Sequence, residues 1–200
     1  MSYVFGYGSL MSPASANVTL QRPAPPSDLA PATLAGYHRV WNVLTRRRFV
    51  GDDAASAVVV LGIEPAPAVQ MVGTLLALKD DEELARLDER EACYDRIDVT
   101  PCVRLAAGAT VAGGVVGGVA GGVVGPVWTY LPRAECTVIP DGAVIAQAYL
   151  DAIAEGCRLQ GEAFTRQYHD TTVTHRWRVR DGRTERVGDA DPGAAVRSRW

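Results

Sequence analysis

The sequence predicts an α+β fold in which helices surround a mixed, strongly curved sheet or small β-barrel. β-prone segments dominate the first half of the chain, whereas helical patterns come in the middle and near the end. The 200 residues suit one domain, which at this size buries roughly 70% of the surface that its unfolded chain exposes. We therefore expect a single domain over residues 1–200.

The composition excludes several classes of protein. With 48% hydrophobic and 22% charged residues the chain is typical of a globular domain, and its net charge of −3 argues against a nucleic-acid partner. A signal-peptide start and an uninterrupted apolar run of about 18 residues are both absent, so we expect a cytoplasmic protein without a membrane partner. The four cysteines lack the tight spacing of a zinc or redox site and are expected to be free buried thiols.

β-strands are predicted at several places, the first of them at residues 3–7, where Gly6 and Gly8 favour a tight turn after the strand. Further strands are predicted at residues 33–44, 57–63, 69–78, 96–105 and 127–131. Residues 12–32 contain five prolines, which predicts an irregular segment. Near-copies of a Val/Gly tetrapeptide fill residues 111–126 and indicate a flexible or hairpin-like insert.

Helices are predicted at residues 80–92, where acidic residues crowd the first turn, and after Pro140, where Asp141 is a candidate N-cap. The second of these helices has apolar residues spaced by three and four, Tyr149 among them, and ends near Gly161. A shorter helix is predicted at 162–168. From about residue 171 a polar tail follows, in which Asp181 and Gly182 favour an edge hairpin.

Glu91 is the candidate catalytic residue of the 80–92 helix. At 100° per residue from Leu84, Leu87 lies at about −60° and Glu91 at about −20°, so Glu91 is expected to point inward with the leucines. Asp88 falls at the margin of this stripe, and three other carboxylates are expected to be solvated: Glu82, Glu83 and Glu89.

Burial and the negative end of the helix dipole should both raise the pKa of Glu91, which suits a general acid/base near neutral pH. A purely structural ion pair with Arg96 or Arg104 remains an alternative.

The turn in GYGSL offers a complementary feature. The backbone N–H groups of Gly8, Ser9 and Leu10 can converge into a nest that binds a carboxylate, with a plain strand-terminal turn as the alternative. A dinucleotide-binding loop is disfavoured because Met11 stands at the position of that motif's third glycine.

Four segments together resemble the gamma-glutamylcyclotransferases: FGYGSL, LDERE, VWTY and the late helix AQAYLDAIAEGCRLQG. The resemblance covers about residues 3–170, and the late helix is most similar to the branch acting on gamma-glutamyl amino acids. It implies that backbone N–H groups of the turn hold the substrate α-carboxylate, that Glu91 is the catalytic glutamate and that Tyr130 lines the pocket. The turn residues concerned are Tyr7, Gly8, Ser9 and Leu10.

The activity implied by this resemblance is an intramolecular acyl transfer. The α-amine of a gamma-glutamyl compound attacks its own γ-carbonyl, giving 5-oxoproline and a free amine or amino acid, with Glu91 as general acid/base. No cofactor and no metal are required. The substrate class therefore includes gamma-glutamyl amino acids, glutathione and gamma-glutamylamines, and the chain could act as a monomer or a homodimer. The alternative function is a non-catalytic binding or interaction module on the same fold.

Three other sites are disfavoured. Ser9 lacks the GxSxG context of a serine hydrolase. His169 and His175 lie in a polar region near the chain end, where solvated side chains are more usual than metal ligands. Residues 46–48 form a basic cluster that we expect to be solvated at a strand end, not to bind RNA.

Overall fold

The computed structural model describes residues 1–53, 55–111, 116–117, 122–123, 125–187 and 195–196. Within these residues the chain forms four α-helices and a mixed sheet that curves without closing into a barrel. The predicted α+β class and the curved sheet are thus confirmed. None of the helices in the described ranges is long and apolar enough to cross a membrane.

The elements follow one another along the chain. The α-helices are α1 (Pro13–Leu20), α2 (Asp81–Arg90), α3 (Gln147–Gln160) and α4 (Glu162–Asp170). The strands are β1 (Ser2–Gly6), β2 (Leu29–Phe49), β3 (Ser56–Leu78), β4 (Tyr94–Asp98), β5 (Val103–Leu105), β6 (Val116–Gly117), β7 (Gly122–Val123), β8 (Val127–Pro132), β9 (Val144–Ala146), β10 (Arg178–Arg180), β11 (Thr184–Val187) and β12 (Ala195–Val196). The main sheet has the order β12-β11-β2-β3-β1-β8-β4.

A long antiparallel hairpin of β2 and β3 forms the centre of the sheet. The two strands have 21 and 23 residues, and their register shifts once between Ala35 and Tyr37 and again between Val40 and Val43. Gly36, at the first shift, has a φ of +88°, a conformation that glycine adopts without a steric penalty. Such irregularities bend long strands and thereby curve the sheet. The separate strands predicted at 57–63 and 69–78 are one continuous strand.

The strand directions bring three chain segments to one edge of the sheet. β1 runs parallel to β8, and β4 runs antiparallel to β8. The C-terminal ends of β1 and β8 therefore lie at the same edge as the start of β4, which follows α2 directly. Gly6, Tyr130 and Tyr94 mark these three ends.

α3 packs closely on the chain that leaves β1. A Cβ at Gly156 would lie 2.6 Å from the Met11 Cβ and 2.9 Å from Met11 backbone atoms, so only glycine allows this approach. The main buried cluster extends from Tyr3 in β1 to Tyr168 in α4 and includes residues of all four helices. The helices thus belong to the same core as the sheet.

The proline-rich segment is more regular than predicted. Pro13 begins α1, where the N–H that proline lacks is not needed, and the Ser12 hydroxyl caps this helix by accepting a hydrogen bond from the Ser15 N–H at 3.3 Å. β2 then begins at Leu29. The prediction of an irregular segment over residues 12–32 is therefore wrong at both ends, where the chain forms α1 and the start of β2.

The second half of the chain corrects further predictions. Asp141 does not cap a helix: β9 precedes α3, whose N-cap is Ala146. The helix end at Gly161 is confirmed, as is a helix after it. The predicted strand 96–105 is divided into β4 and β5.

The predicted edge hairpin around Asp181 is wrong, since β10 pairs with β9 and β11 pairs with β2. β6 and β7 pair antiparallel inside the Val/Gly insert, and most of the rest of that insert lies outside the described residues.

Two charged side chains that were expected to be solvated are buried. Glu83 is 2% exposed and forms a two-oxygen ion pair with Arg22. Arg47 is 4% exposed, and its Nε donates to the Thr184 hydroxyl at 2.8 Å. All four cysteines are free, as predicted, but only Cys157 is fully buried.

Candidate active site

The predicted site residues line one cavity at the sheet edge where β1, β8 and β4 meet. Its wall includes Tyr7, Gly8, Ser9, Leu10, Glu91 and Tyr130, together with Phe5, Gly6, Leu61, Tyr94 and Tyr149. The cavity measures about 40 Å³, more than the ~10–15 Å³ that one water molecule needs by this measure. This space accepts a small group such as a carboxylate.

A single 3₁₀ turn at Ser9–Met11 shapes the first wall of the cavity. The Met11 N–H donates to the Gly8 carbonyl at 3.0 Å, and the Tyr7 carbonyl accepts from the Tyr168 hydroxyl at 2.9 Å. The N–H groups of Gly8, Ser9 and Leu10 donate to no other group in the described part of the chain. They are therefore available to a bound anion, as the predicted nest requires.

Gly8 is needed at this turn for steric reasons. A Cβ at this position would lie 2.7 Å from the Tyr149 hydroxyl oxygen, far inside van der Waals contact. That hydroxyl accepts a hydrogen bond from the Leu61 N–H at 3.2 Å and is thereby fixed against β3. The turn, α3 and β3 consequently meet at one point of the cavity wall.

Glu91 follows the last residue of α2, at the C-terminal cap. Its N–H donates to the Leu87 carbonyl at 2.9 Å, and its side chain is 17% exposed. The carboxylate Oε1 lies 2.9 Å from the Nε of Arg90. This positive charge favours the ionised form and so opposes the effects of burial and the helix dipole. The raised pKa expected for Glu91 stays a prediction.

The structural ion pairs considered for Glu91 are not those that form. Arg96 binds Asp88 through an Nη1–Oδ2 distance of 2.6 Å, and Arg104 donates to backbone carbonyls. Asp88, placed at the margin of the apolar stripe, also accepts from the Tyr130 hydroxyl at 2.9 Å. Asp88 and Arg96 thus hold Tyr130, while Arg90 holds Glu91.

Four tyrosines surround the Glu91 carboxylate and stay neutral near neutral pH. Burial raises the pKa of Tyr7 and Tyr94 well above the usual value for a phenol, and it also raises the pKa of Tyr130 and Tyr149. The Tyr7 hydroxyl donates to the Tyr130 carbonyl and the Tyr94 hydroxyl donates to the Leu61 carbonyl, both at 2.7 Å. Among the described residues that line the cavity, Glu91 is the only carboxylate.

Sequence reasoning missed three residues of this site: Tyr94, Tyr149 and Arg90. Tyr149 was recognised only as an apolar position of the late helix, although a buried tyrosine hydroxyl usually needs a hydrogen-bond partner and is a signal of its own. Nothing in the local sequence distinguishes Arg90 from a solvated arginine, because most of its partners lie in α1 and in the turn, more than 70 residues away.

A second, larger cavity of about 850 Å³ lies between α3, α4 and residues 172–175. Its lining includes His169 and His175 but none of the predicted catalytic or substrate-binding residues. In the described ranges, no three His, Cys, Asp or Glu side chains are grouped so that they could hold a metal ion.

Comparison with known proteins identifies the family. Residues 4–143 match the sequence family described as gamma-glutamyl cyclotransferase, AIG2-like. No curated protein matches the chain significantly.

Solved structures share the fold at low identity. An uncharacterized human protein is 15% identical with a TM-score of 0.56, the match covering 90% of this chain and 92% of that one. A protein named gamma-glutamyl cyclotransferase is 14% identical, with a TM-score of 0.52 and coverages of 89% and 92%. A glutathione-specific gamma-glutamyl cyclotransferase from yeast is 15% identical, with a TM-score of 0.50 and coverages of 87% and 98%. The family match extends over more than half of the residues of this chain. The chain therefore belongs to the AIG2-like gamma-glutamyl cyclotransferase family.

Proposed function

We propose that this protein converts a gamma-glutamyl compound into 5-oxoproline and a free amine or amino acid. Nucleophile and electrophile belong to the same substrate molecule, so catalysis consists mainly of holding the substrate in a folded shape. Constraint of this kind reaches effective molarities of about 10⁵–10⁸ M. The reaction needs no cofactor, and its partner is the small-molecule substrate alone.

The α-carboxylate of the substrate would bind at the turn after β1. The N–H groups of Gly8, Ser9 and Leu10 supply donors without a described protein acceptor, and the cavity volume suits a carboxylate. Tyr130 would then lie beside the bound substrate as part of the wall. This arrangement anchors the end of the substrate that carries the attacking amine.

Glu91 would move one proton in two steps. Its carboxylate first takes a proton from the substrate α-ammonium, and the freed amine forms a C–N bond with the γ-carbonyl carbon. The protonated Glu91 then gives this proton to the leaving nitrogen as the original C–N bond breaks. The attacking nitrogen loses its second proton on becoming the lactam N–H, and this proton passes to the released amine, which leaves as its ammonium. Proton transfer by a positioned side chain typically contributes about 10²–10⁴-fold to the rate.

One observation carries this proposal: the only carboxylate among the described lining residues shares a small cavity with the available N–H donors of the turn. The neighbouring phenols have pKa values raised by burial, so they are poorly suited to accept a proton near neutral pH. Glu91 is therefore the group best suited to act as the base.

A non-catalytic binding module is the second candidate, and the Arg90–Glu91 ion pair favours it, since such a pair gives Glu91 a structural role. The two functions differ in turnover. A module of this kind would bind gamma-glutamyl compounds at the turn without releasing 5-oxoproline.

Incubation of the purified protein with gamma-glutamyl-alanine, glutathione and a gamma-glutamylamine, with 5-oxoproline measured by mass spectrometry, tests the proposal. We expect catalytic release from at least one of the three compounds, and the preferred compound identifies the leaving group. Binding of these compounds without release would support the binding module and contradict the enzyme.

A further inference from the structure

Arg90, the last residue of α2, connects three parts of the candidate site through one guanidinium group. Its Nη2 donates to the Ser9 hydroxyl at 2.9 Å and to the Ser15 hydroxyl at 3.0 Å. Its Nη1 donates to the Ser15 carbonyl at 3.2 Å and to the Thr19 hydroxyl at 2.6 Å. Its Nε lies 2.9 Å from the Glu91 carboxylate. The guanidinium therefore joins α1 and the cavity turn to the proposed base.

The geometry of this network requires an arginine. A guanidinium presents five N–H donors in a planar, rigid fork, whereas a lysine ammonium is a compact charge on a flexible chain. All three nitrogens of Arg90 are in use, and its side chain is only 17% exposed. Because Ser15 and Thr19 hold the guanidinium in place, it also fixes the Glu91 Oε1 relative to Ser9.

The charge of Arg90 acts on Glu91 directly. An opposite charge at this distance favours the ionised carboxylate, the form that a base requires. Arg39, Asp88 and Arg96 are charged groups that act on the phenols of the same cavity wall. The titratable side chains that share the cavity lining with Glu91 are neutral phenols from the turn, β4, β8 and α3. They are Tyr7, Tyr94, Tyr130 and Tyr149. Arg90 places a positive charge in direct contact with the carboxylate.

We propose that Arg90 is a positioning residue for the proposed reaction. It holds the Glu91 carboxylate against the substrate-binding turn and keeps this carboxylate ionised until the substrate ammonium arrives. The catalytic effect of Arg90 rests on the proposed function. Its electrostatic effect on the Glu91 carboxyl does not, and it can be measured without turnover.

The first test is the pH dependence of kcat/KM for 5-oxoproline release from gamma-glutamyl-alanine. Since the base form of Glu91 is required, kcat/KM falls as the pH drops through the pKa of the carboxyl. In Arg90→Gln the opposite charge is lost, so this acidic limb should move to higher pH by about one unit. At a pH on the acidic limb, the loss of kcat/KM in Arg90→Gln relative to the wild type should be about tenfold greater than the loss at a pH above this limb.

A charge-conserving variant and a matched control distinguish the positioning effect of Arg90 from the effect of its charge. Arg90→Lys should leave the acidic limb close to its original pH but still lower kcat, because one ammonium cannot span the same partners. Arg86→Gln, one turn earlier on α2, removes the ion pair of the half-buried Arg86 with the exposed Glu82 and should leave the pH profile unmoved. Folding of each variant is checked by near-UV circular dichroism, and Arg90→Lys keeps the test valid if Arg90→Gln does not fold.

The second test does not depend on activity. The Glu91 carboxyl is titrated by ¹³C NMR in protein labelled at glutamate, its resonance being assigned from the spectrum of Glu91→Gln. Its midpoint should rise by about one unit in Arg90→Gln and stay within a few tenths of a unit in Arg86→Gln.

An unmoved midpoint in Arg90→Gln would overturn the inference, as would wild-type kcat in Arg90→Lys. If the wild-type protein releases no 5-oxoproline but the midpoint still rises, the proposed function fails while the electrostatic hold of Arg90 on Glu91 stands.

Discussion

Ser9 presents two different groups at the candidate site. Its N–H is one of the donors available to a substrate carboxylate, and its hydroxyl accepts a hydrogen bond from the Arg90 Nη2 at 2.9 Å. These roles are separable, because a substitution by alanine removes the hydroxyl and keeps the N–H. Backbone recognition therefore tolerates changes of side chain that direct hydroxyl chemistry would not.

Ser9→Ala should accordingly lower kcat/KM by no more than about tenfold, a change of about 1.4 kcal/mol in the barrier. Ser15→Ala is the matched control, because Ser15 also gives a hydroxyl to Arg90 but lies outside the cavity wall. Similar small losses in both variants would fit a role through Arg90 alone. Complete loss of 5-oxoproline release in Ser9→Ala would instead argue for a direct role of the hydroxyl in the reaction.

At the residue scale, the helical wheel of residues 80–92 predicted correctly the residues that face the core. It failed for Glu83, whose partner lies in the loop after α1. Leu84 and Leu87 are buried, and Glu91 lines the cavity beyond them. Glu83 was assigned to solvent, yet it is buried against Arg22, which lies 61 residues away along the chain. A wheel contains no information about such distant partners.

At the element scale, the Arg22–Glu83 ion pair attaches α2 to the loop that follows α1, and Arg22 also contacts β3. Glu83 also accepts from the Lys79 N–H at 2.9 Å, and Arg22 donates to the Ala77 carbonyl at 3.1 Å. Removal of one partner of a buried ion pair leaves the other charge without compensation. The orientation of α2, and hence the position of Glu91, depends on this contact.

Arg22→Met should lower the free energy of unfolding by about 3 kcal/mol, the lower end for a buried pair that loses one member. The exposed Glu82, on the same helix, provides the control: Glu82→Gln should change stability by less than about 0.5 kcal/mol. Urea unfolding of both variants measures the difference. Equal stabilities would mean that the Arg22–Glu83 pair does not hold α2 in place.

The elements that sequence analysis missed are those whose pairing is set by distant residues. Val144–Ala146 belongs to an apolar pattern spaced by three and four, which predicts a helix, but these residues pair with β10 and β3. The turn residues Asp181 and Gly182 similarly suggested a local hairpin, whereas the flanking strands join β9 and β2. α1 was missed because prolines were read as breakers, although Pro13 stands at the first helical position, where it is tolerated.

At the scale of the whole molecule, the site depends on segments beyond the family match at residues 4–143. Tyr149 lines the cavity from α3, and Tyr168 in α4 holds the Tyr7 carbonyl. The meeting of β1, β4 and β8 at one sheet edge was not predictable from local patterns, because it follows from the parallel pairing of β1 with β8. The resemblance of four separated segments to one family was the only sequence signal that grouped these residues.

Because one buried cluster joins β1 to α4, the protein should unfold in a single cooperative transition. Trp41 and Trp128 pack against this cluster and contribute to the tryptophan fluorescence. The fluorescence should therefore report the same urea midpoint as far-UV circular dichroism. Two separate midpoints would show that part of the chain unfolds independently, contrary to the predicted single domain.

Release of 5-oxoproline by Glu91→Gln, compared with Glu89→Gln and the wild type, tests the central claim most directly. Glu89 is exposed on the same helix and does not line the cavity, so Glu89→Gln should retain activity within about twofold, whereas Glu91→Gln should lose at least about 10²-fold while keeping its circular dichroism spectrum. Turnover by Glu91→Gln comparable to that of the wild type would contradict the assignment of Glu91 as the acid/base.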